Sequence, residues 1–394
     1  MTAKPGMRVL TINNGSSSLR AAVYAMESAE RRLLALQASR IGLPGSRVRI
    51  TDAEGACLLD AAPVLSDYRA AVDMLVQWLA RDDEALRPEV VGHRVVHGGS
   101  KYREPTPVTP ELVTALESLV PIDPDHLPQA LGGIRAIERA YPGVRQVACF
   151  DTAFHRTLPF EARTYALPRS LVEAGVVRYG FHGLSYEYVM DQLRALDRAA
   201  QGRVVVAHLG NGASMAAIHE GRSVDTTMGF SPTGGLVMGT RSGDLDPGLL
   251  VYLMRERRLT PDDVGTMINQ QSGLLGVSGI SEDMQELLQR EAQEVRAAEA
   301  VTLFCHQARK YLGACAATLG GLDIVVFTAG IGEHAAPVRE RICAGLGFLG
   351  LELDSARNAQ HAPVISSDRS RVTVRVIPTN EELMVARHAS RLAT

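Results

Sequence analysis

"VLTINNGSSSLR", residues 9–20, is the stretch on which the reading of the fold turns. An apolar run stops at Asn13, Asn14, Gly15 and three serines, and apolar alternation resumes after Arg20 in "AAVYAM". Asn-Gly between two alternating segments is the strongest short signal for a β-hairpin, because both residues tolerate positive φ. The same turn also suits an anion. Successive backbone N–H groups in a tight turn make a concavity for phosphate, small residues let the backbone approach it, and serine hydroxyls add donors. Hairpin and phosphate cradle both stand open on this stretch alone.

The pattern returns later. Laid over "VVAHLGNGASMAAIH" with an offset of 197, Asn14 falls on Asn211, Gly15 on Gly212 and Ser17 on Ser214. Two unrelated hairpins can coincide in this way; gene duplication giving two similar domains is the sharper reading. A third Gly-rich turn, "TAGIGEH", follows an apolar strand and precedes a helical stretch. Neither familiar phosphate motif is present. The chain has no Gly-Lys pair, which excludes a P-loop, and "GIGE" lacks the dinucleotide spacing.

Short strands alternate with longer helical patterns, which predicts an α/β protein. "VRIT" and "ACLLD" read as edge strands, Tyr68 to about Arg81 as a helix, and "EVVGHRVVHGG" and "RQVACFDTAF" as buried strands. The region from Asp283 to Leu319 reads as mainly helical, and the chain ends as strand, turn and helix in "RVTVRVIPTNEELMVARHASRL". At 394 residues there is room for two or three domains. Apolar and charged fractions of 46% and 22% are those of a globular protein. A net charge of -3 argues against a nucleic-acid partner, which would want a basic surface. No run approaches a membrane span, and "MTAKPGMRVL" has no apolar secretory core. Cys57, Cys149, Cys305, Cys315 and Cys343 form no C-x-x-C pair, so free thiols and a cytoplasmic location are expected.

Several polar residues interrupt apolar or glycine-rich runs. Arg94 in "GHRVVHGG" sits inside a buried strand pattern, where a guanidinium is costly unless paired. It reads either as a salt bridge or as a fork for a carboxylate or phosphate. Arg241 lies on the loop "MGTRSGDLDPG" with Asp244 and Asp246, which allows a loop ion pair or a phosphoryl clamp. Asp151 ends a strand, with His155 four residues on. It suits a helix N-cap, a catalytic carboxylate, or a metal held through water. His182 lies between Phe181 and Gly183, as a structural or a catalytic histidine. Glu381, Glu382, Glu333 and His334 stand at helix starts, where acidic residues are expected from the dipole alone.

Taken together, "NNGSSSLR", "GHRVVHGG", "CFDTAFH", "RYGFHGLS", "HLGNGAS", "TTMGF", "MGTRSGDLDPG", "FTAGIGE" and "PTNEEL" resemble, in that order, the acetate kinase family of acetate, propionate and butyrate kinases. The resemblance implies two duplicated actin-like, ribonuclease H-like domains around a central cleft. Their expected bounds are residues 1–151 with 381–394, and residues 152–380 for the nucleotide-binding domain. It also implies a homodimer that carries ATP γ-phosphoryl to acetate and back, with Mg2+ as cofactor and Mn2+ as an alternative, ATP and ADP as substrates, and no nucleic acid or membrane partner. Carried over residue by residue, Asn13 and Glu381 resemble the metal-site residues. Ser16, Ser18 and Arg20 resemble the phosphate-side hairpin, and His208, Leu209, Gly210, Asn211 and Gly212 a phosphate loop. Asp283, Met284 and Gln285, with Gly330, Ile331, Gly332, Glu333 and His334, resemble the adenosine side. Arg94 resembles the substrate-binding arginine, Asp151 the essential carboxylate, and His182 and Arg241 the transition-state stabilisers. Val96, His126, Phe181 and Pro232 resemble the acyl side.

The chemistry of those roles is consistent with the transfer. The acceptor carboxylate is already ionised at neutral pH, so Asp151 is read as positioning Mg2+, water or an arginine rather than as a base. Departures from the family pattern are Arg20 for lysine, Gln285 for arginine, His334 for asparagine, Asp125 for leucine and "SPTGGL" beside the acyl pocket. Alternatives are a propionate or butyrate kinase, a nucleotide-binding switch of the same fold, and a sugar or polyol kinase.

Overall fold

In the computed structural model, which describes residues 6–15, 17–27, 29–81, 86–124 and 126–393, the opening stretch is a hairpin. In chain order the strands and helices begin with β1 (Met7–Asn14), β2 (Ser18–Met26), β3 (Arg31–Ser39), β4 (Arg47–Asp52), β5 (Cys57–Ala61), α1 (Tyr68–Leu79), β6 (Val90–Val95), β7 (Thr106–Pro107), α2 (Pro110–Leu119), α3 (Leu127–Ala140) and β8 (Arg145–Phe150). Then come α4 (Phe160–Arg163), α5 (Arg169–Glu173), α6 (Gly183–Leu196), β9 (Arg203–Leu209), β10 (Ala213–His219), β11 (Arg222–Thr226), α7 (Pro247–Glu256), α8 (Pro261–Gln270) and α9 (Gly273–Ser278). The chain finishes with α10 (Met284–Arg290), α11 (Val295–Thr318), β12 (Ile324–Thr328), α12 (Ala329–His334), α13 (Ala336–Cys343), α14 (Ser355–Ala359), β13 (Thr373–Val376) and α15 (Glu381–Ala393). Two compact units result: Met1–Ala153 with Asn380–Thr394, and Phe154–Thr379.

The first unit carries an eight-stranded sheet ordered β5-β4-β3-β2-β1-β6-β8-β7. β1 and β2 pair antiparallel, whereas β1, β6 and β8 run parallel. β5 is the edge, but β4 is interior, paired to both β3 and β5. One face is filled by Leu10, Ile12, Val23, Leu34 and Leu36 against Val72 and Leu75 of α1. The other is covered by α15, which buries Met384, Val385, Ala386 and Ala389. Gly92 is needed for that approach: a Cβ there would stand 2.5 Å from Val385 Cγ1 and 3.2 Å from Ala389 Cβ.

The second unit carries a five-stranded sheet ordered β11-β10-β9-β12-β13. β9–β10 and β10–β11 are antiparallel, and β9–β12 and β12–β13 parallel. This is the order and sense of β3-β2-β1-β6-β8, so the duplicated α/β topology expected from the sequence holds. Tyr186, Val189, Met190 and Leu193 of α6 pack on one face of the sheet, and α11 lies against β9, β10 and β11. The residue-by-residue overlay is corrected. In the first unit Asn14 pairs with Leu19 and the turn encloses four residues. In the second, Leu209 pairs with Ala213 and the turn encloses three. Asn14 therefore ends a strand while Asn211 sits within a turn. Ser214 lies in a strand opposite His208, whereas Ser17 lies in the turn. A one-residue change in a turn moves every later side chain to the other face, so topology is shared while the side-chain register is not.

His93 in the first unit and His155 in the second are buried histidines that stay neutral. His93 on β6 contacts Gln146 Oε1 through Nε2 at 2.7 Å. His155 contacts Ser223 Oγ through Nδ1 at 2.8 Å and donates from Nε2 to the Phe181 carbonyl at 2.9 Å. Burial pushes both rings down to about 4, from an ordinary 6.5. The unfolded chain protonates each near 6.5, the folded unit only near 4. Stability is therefore full above the higher value and falls as pH drops towards the lower, by on the order of 3 kcal/mol per ring. Urea midpoints at about pH 7 and about pH 5 should show the loss, reduced in His93→Gln; a profile unchanged by that substitution would contradict the assignment.

Candidate active site

At the carboxyl ends of the parallel strands of the first unit, β1, β6 and β8 bring three side chains together. Such strand ends are where open α/β sheets bind ligands. Asp151 follows β8 and is almost fully enclosed, with a side chain 2% exposed against 19% for Arg94. It grips Arg94 in a fork: Nε donates to Oδ1 at 2.9 Å and Nη2 to Oδ2 at 2.6 Å. Arg94 Nη1 donates to Asn13 Oδ1 at 3.1 Å and lies 3.3 Å from Glu381 Oε2. Burial alone would lower the guanidinium's pKa, but Asp151 first, then Glu381 and Glu382, raise it well above its ordinary value. Arg94 is thus a held cation, and Asp151 is the residue that holds it.

Glu381 is there because α15 folds back onto the sheet. Asn380 accepts the Leu383 N–H at 3.0 Å and so caps that helix, while Tyr24 donates to the same Asn380 oxygen. Val96 follows β6 and is buried. His126 stands at the N-terminus of α3, its Nδ1 2.7 Å from Asp123 Oδ1. Arg20 is exposed on β2, paired in register with Asn13. Ser18 closes the hairpin by accepting the Gly15 N–H on its carbonyl at 2.7 Å. Ser16, expected on the phosphate side, and Asp125, expected near the acyl pocket, lie outside the described residues.

In the second unit the turn Gly210–Asn211–Gly212 is bordered by His182 and Arg241. A Cβ on Gly212 would lie 3.2 Å from Arg241 Nη2 and 3.3 Å from His182 Nε2, so both cross the same bare backbone. Arg241 Nη1 donates to the Pro232 carbonyl at 2.7 Å, which steadies the guanidinium. His182 begins α6 with φ 58, a left-handed conformation unusual for a residue with a Cβ. Its ring stacks on that of His208, centroids 4.1 Å apart and planes 17° apart. Behind the rings stand two serines: Ser214 Oγ lies 2.8 Å from His182 Nδ1, and Ser185 Oγ 2.8 Å from His208 Nδ1. These serines were not singled out in the sequence as partners of the histidines, though Ser214 lay within the repeated turn motif. Phe181 is buried, its carbonyl taken by His155. His155, a candidate beside Asp151 in sequence, therefore serves as the floor under the His182 loop.

The expected adenosine-side residues lie on two helices, α12 and α10. Gly330, Ile331, Gly332, Glu333 and His334, read in the sequence as a glycine-rich turn before a helix start, lie inside helix α12 itself, which follows β12 directly, and Glu333 and His334 end that helix rather than begin one. This helix sits beside the β9 turn, since a Cβ on Gly210 would meet Ala329 Cβ at 3.6 Å. Glu333 Oε1 accepts the Ala329 N–H at 2.8 Å and the Thr379 N–H at 3.2 Å. Its carboxylate therefore shapes the loop from inside. His334 is exposed. Asp283, Met284 and Gln285 open α10, with the Asp283 carboxylate accepting the Gln285 N–H at 2.8 Å. Met284 is buried, and α10 packs on α11.

With this geometry in view, the chain can be set beside known proteins. A model of the Acetokinase family matches residues 8–387. A protein named acetate kinase from Rhodopseudomonas palustris (strain TIE-1) is 44% identical over 392 residues, spanning 98% of each chain. One of the same name from Methylocella silvestris is 45% identical over 397 residues, spanning 98% of this chain and 97% of that one. Among solved structures, Porphyromonas gingivalis acetate kinase aligns with a TM-score of 0.88 at 38% identity, covering 99% and 100% of the two chains. A propionate kinase from Francisella tularensis subsp. tularensis SCHU S4 aligns with a TM-score of 0.91 at 34% identity, covering 98% and 99%.

Proposed function

Because the chain belongs to the acetate kinase family, we propose that it catalyses reversible, direct in-line transfer of the ATP γ-phosphoryl group to acetate, giving acetyl phosphate and ADP. The observation that carries this reading is the meeting of His182 Nε2 and Arg241 Nη2 over the bare backbone of Gly212. A loose phosphoryl transfer asks little covalent chemistry of a protein. It asks for donors around the moving group, held before the reaction begins. Arg241, anchored on Pro232, supplies charge. His182 supplies a directional donor. The small turn lets phosphate oxygens come close to backbone N–H groups.

In the first unit, Arg94 is proposed to bind the acceptor carboxylate, with Asp151 orienting its guanidinium. The acceptor is ionised at neutral pH, so no general base is required. Asn13 and Glu381 are proposed to hold a divalent cation, Mg2+ with Mn2+ as substitute. Their oxygens converge on one guanidinium nitrogen, at 3.1 and 3.3 Å. Two hard oxygen donors fit a metal that keeps waters and binds substrate phosphates. When bound, such an ion neutralises charge on the phosphates. Val96, His126, Phe181 and Pro232 are proposed for the acyl side; His208 to Gly212, Ser16, Ser18, Arg20, Asp283 to Gln285 and Gly330 to His334 are proposed for the nucleotide. Glu333 acts in that set by shaping α12.

A homodimer is proposed as well. Helix α7 reads PGLLVYLMRE, and none of its residues is buried. Leu249, Val251, Tyr252 and Met254 are all exposed. An apolar helix left open in this way marks an association surface. No helix among the described residues is long and apolar enough to cross a membrane. Buried free thiols at Cys149, Cys305, Cys315 and Cys343 support a cytoplasmic location.

The test is acetyl hydroxamate formation from acetate, ATP, Mg2+ and hydroxylamine, on material whose mass is read by sedimentation. Product is expected, with loss on chelation and recovery on adding Mg2+ or Mn2+. The structural likeness to a propionate kinase favours propionate as the second reading. Activity with propionate but not with millimolar acetate would establish it. Stoichiometric ATP binding with no carboxylate-dependent turnover would favour the switch instead, and turnover with a hydroxyl acceptor the sugar or polyol kinase.

A further inference from the structure

Tyr186 lies on α6 one turn beyond the N-cap His182, whose carbonyl accepts the Tyr186 N–H at 3.1 Å. It is fully buried, with the His155 ring edge-on at 5.5 Å and the Phe154 ring tilted at 5.9 Å. Among the described residues its hydroxyl has one hydrogen-bond partner, Ser214 Oγ. That same Oγ lies 2.8 Å from His182 Nδ1. The three groups form a line: phenol, serine hydroxyl, imidazole.

The direction of the hydrogen bonds along this line follows from counting donors. Burial first of all raises the phenol's pKa well above its ordinary value, so the tyrosine keeps its proton. A buried O–H must donate, and Ser214 Oγ is the acceptor available. The serine then has its own hydrogen to place, and His182 Nδ1 is the acceptor within reach. A ring that accepts on Nδ1 carries its proton on Nε2. The opposite direction, with Nδ1–H donating to Ser214, would leave either the tyrosine or the serine hydrogen without an acceptor in a closed helix–strand interface.

We propose that Tyr186 and Ser214 act as a positioning relay that holds His182 in the Nε2–H tautomer, so that a fixed donor faces the transferring phosphoryl group. The relay deepens the kinase reading above and takes from it the role of His182. Nε2 is the nitrogen beside Gly212 and Arg241 Nη2. The relay makes it a donor before substrate arrives, which is the condition for electrostatic catalysis without reorganisation.

The test reads the tautomer directly. The full-length chain is labelled with 15N-histidine, and His182 is assigned by difference against His182→Gln. In the wild-type protein without substrate, the expected spectrum has a pyridine-like Nδ1 and a pyrrole-like Nε2. Ser214→Ala should draw the two shifts towards each other and lower kcat by about 100-fold. The KM values for acetate and ATP should stay within about 3-fold. Tyr186→Phe keeps the serine–imidazole bond, so the tautomer should persist with a roughly 5-fold loss of kcat from a weakened chain. A wild-type ring protonated on Nδ1 would overturn the relay, as would a Ser214→Ala protein with unchanged shifts and kcat. If the wild type turns over no short carboxylate, the kinase reading fails, and the nitrogen shifts still decide the relay.

Discussion

Arg241→Ala should lower kcat for acetyl phosphate formation by about 10³-fold or more while nucleotide binding stays nearly intact. The size follows from what the side chain is asked to do. Its Nη1 is committed to the Pro232 carbonyl at 2.7 Å, so the guanidinium is already aimed. Its Nη2 borders Gly212 beside His182 Nε2, where the proposed transfer would move charge onto the phosphoryl oxygens. A positive group placed there gains most in the transition state and little in the ground state, so its loss falls on kcat. Lysine should not restore it fully, because a single ammonium cannot hold Pro232 and face the turn at once. Calorimetric titration with ADP beside steady-state kinetics separates the outcomes. A variant that no longer binds nucleotide would remove Arg241 from this role.

Asp151→Ala should remove most activity and also destabilise the first unit by about 3–5 kcal/mol. The carboxylate is almost wholly enclosed and takes the Arg94 fork through both oxygens. Without it the guanidinium keeps Glu381 at 3.3 Å and the Asn13 amide oxygen. Neither replaces a bidentate partner, and the cation is left partly desolvated. Asp151→Asn retains one acceptor oxygen and should lose less stability than alanine. Denaturant titration of both variants gives the ordering, and kinetics on still-folded Asp151→Asn reads the role in orienting Arg94. Equal stability for Ala, Asn and wild type would mean that Arg94 is held by other groups.

Much of the architecture was legible in the sequence because it follows from local pattern. Strand alternation broken by Asn14–Gly15 and by Asn211–Gly212 announces the two hairpins, and the five strands of the second sheet repeat the order of five strands in the first. The Gly-rich run after β12 reads as a turn leading into a helix, but it is itself the short helix α12. Residue matching across the two hairpins failed, because their turns differ in length by one residue. The serines behind His182 and His208 were not legible as partners. Ser185 and Ser214 lie in ordinary helix and strand patterns, and nothing local marks a small buried polar residue as a neighbour of an imidazole.

From sequence alone came the class of fold, the family, and the residue types able to bind phosphate, because periodicity, turn chemistry and ordered motifs are properties of neighbours along the chain. Tertiary structure alone decided which group each side chain serves. It joined Asp151 to Arg94 across two parallel strands, set His155 beneath Phe181, turned Glu333 onto backbone N–H groups, and ran Tyr186 through Ser214 to His182. Those pairings depend on which strand ends and helix faces meet in space. A buried polar group must be satisfied by whatever arrives there, however far away it lies in the chain.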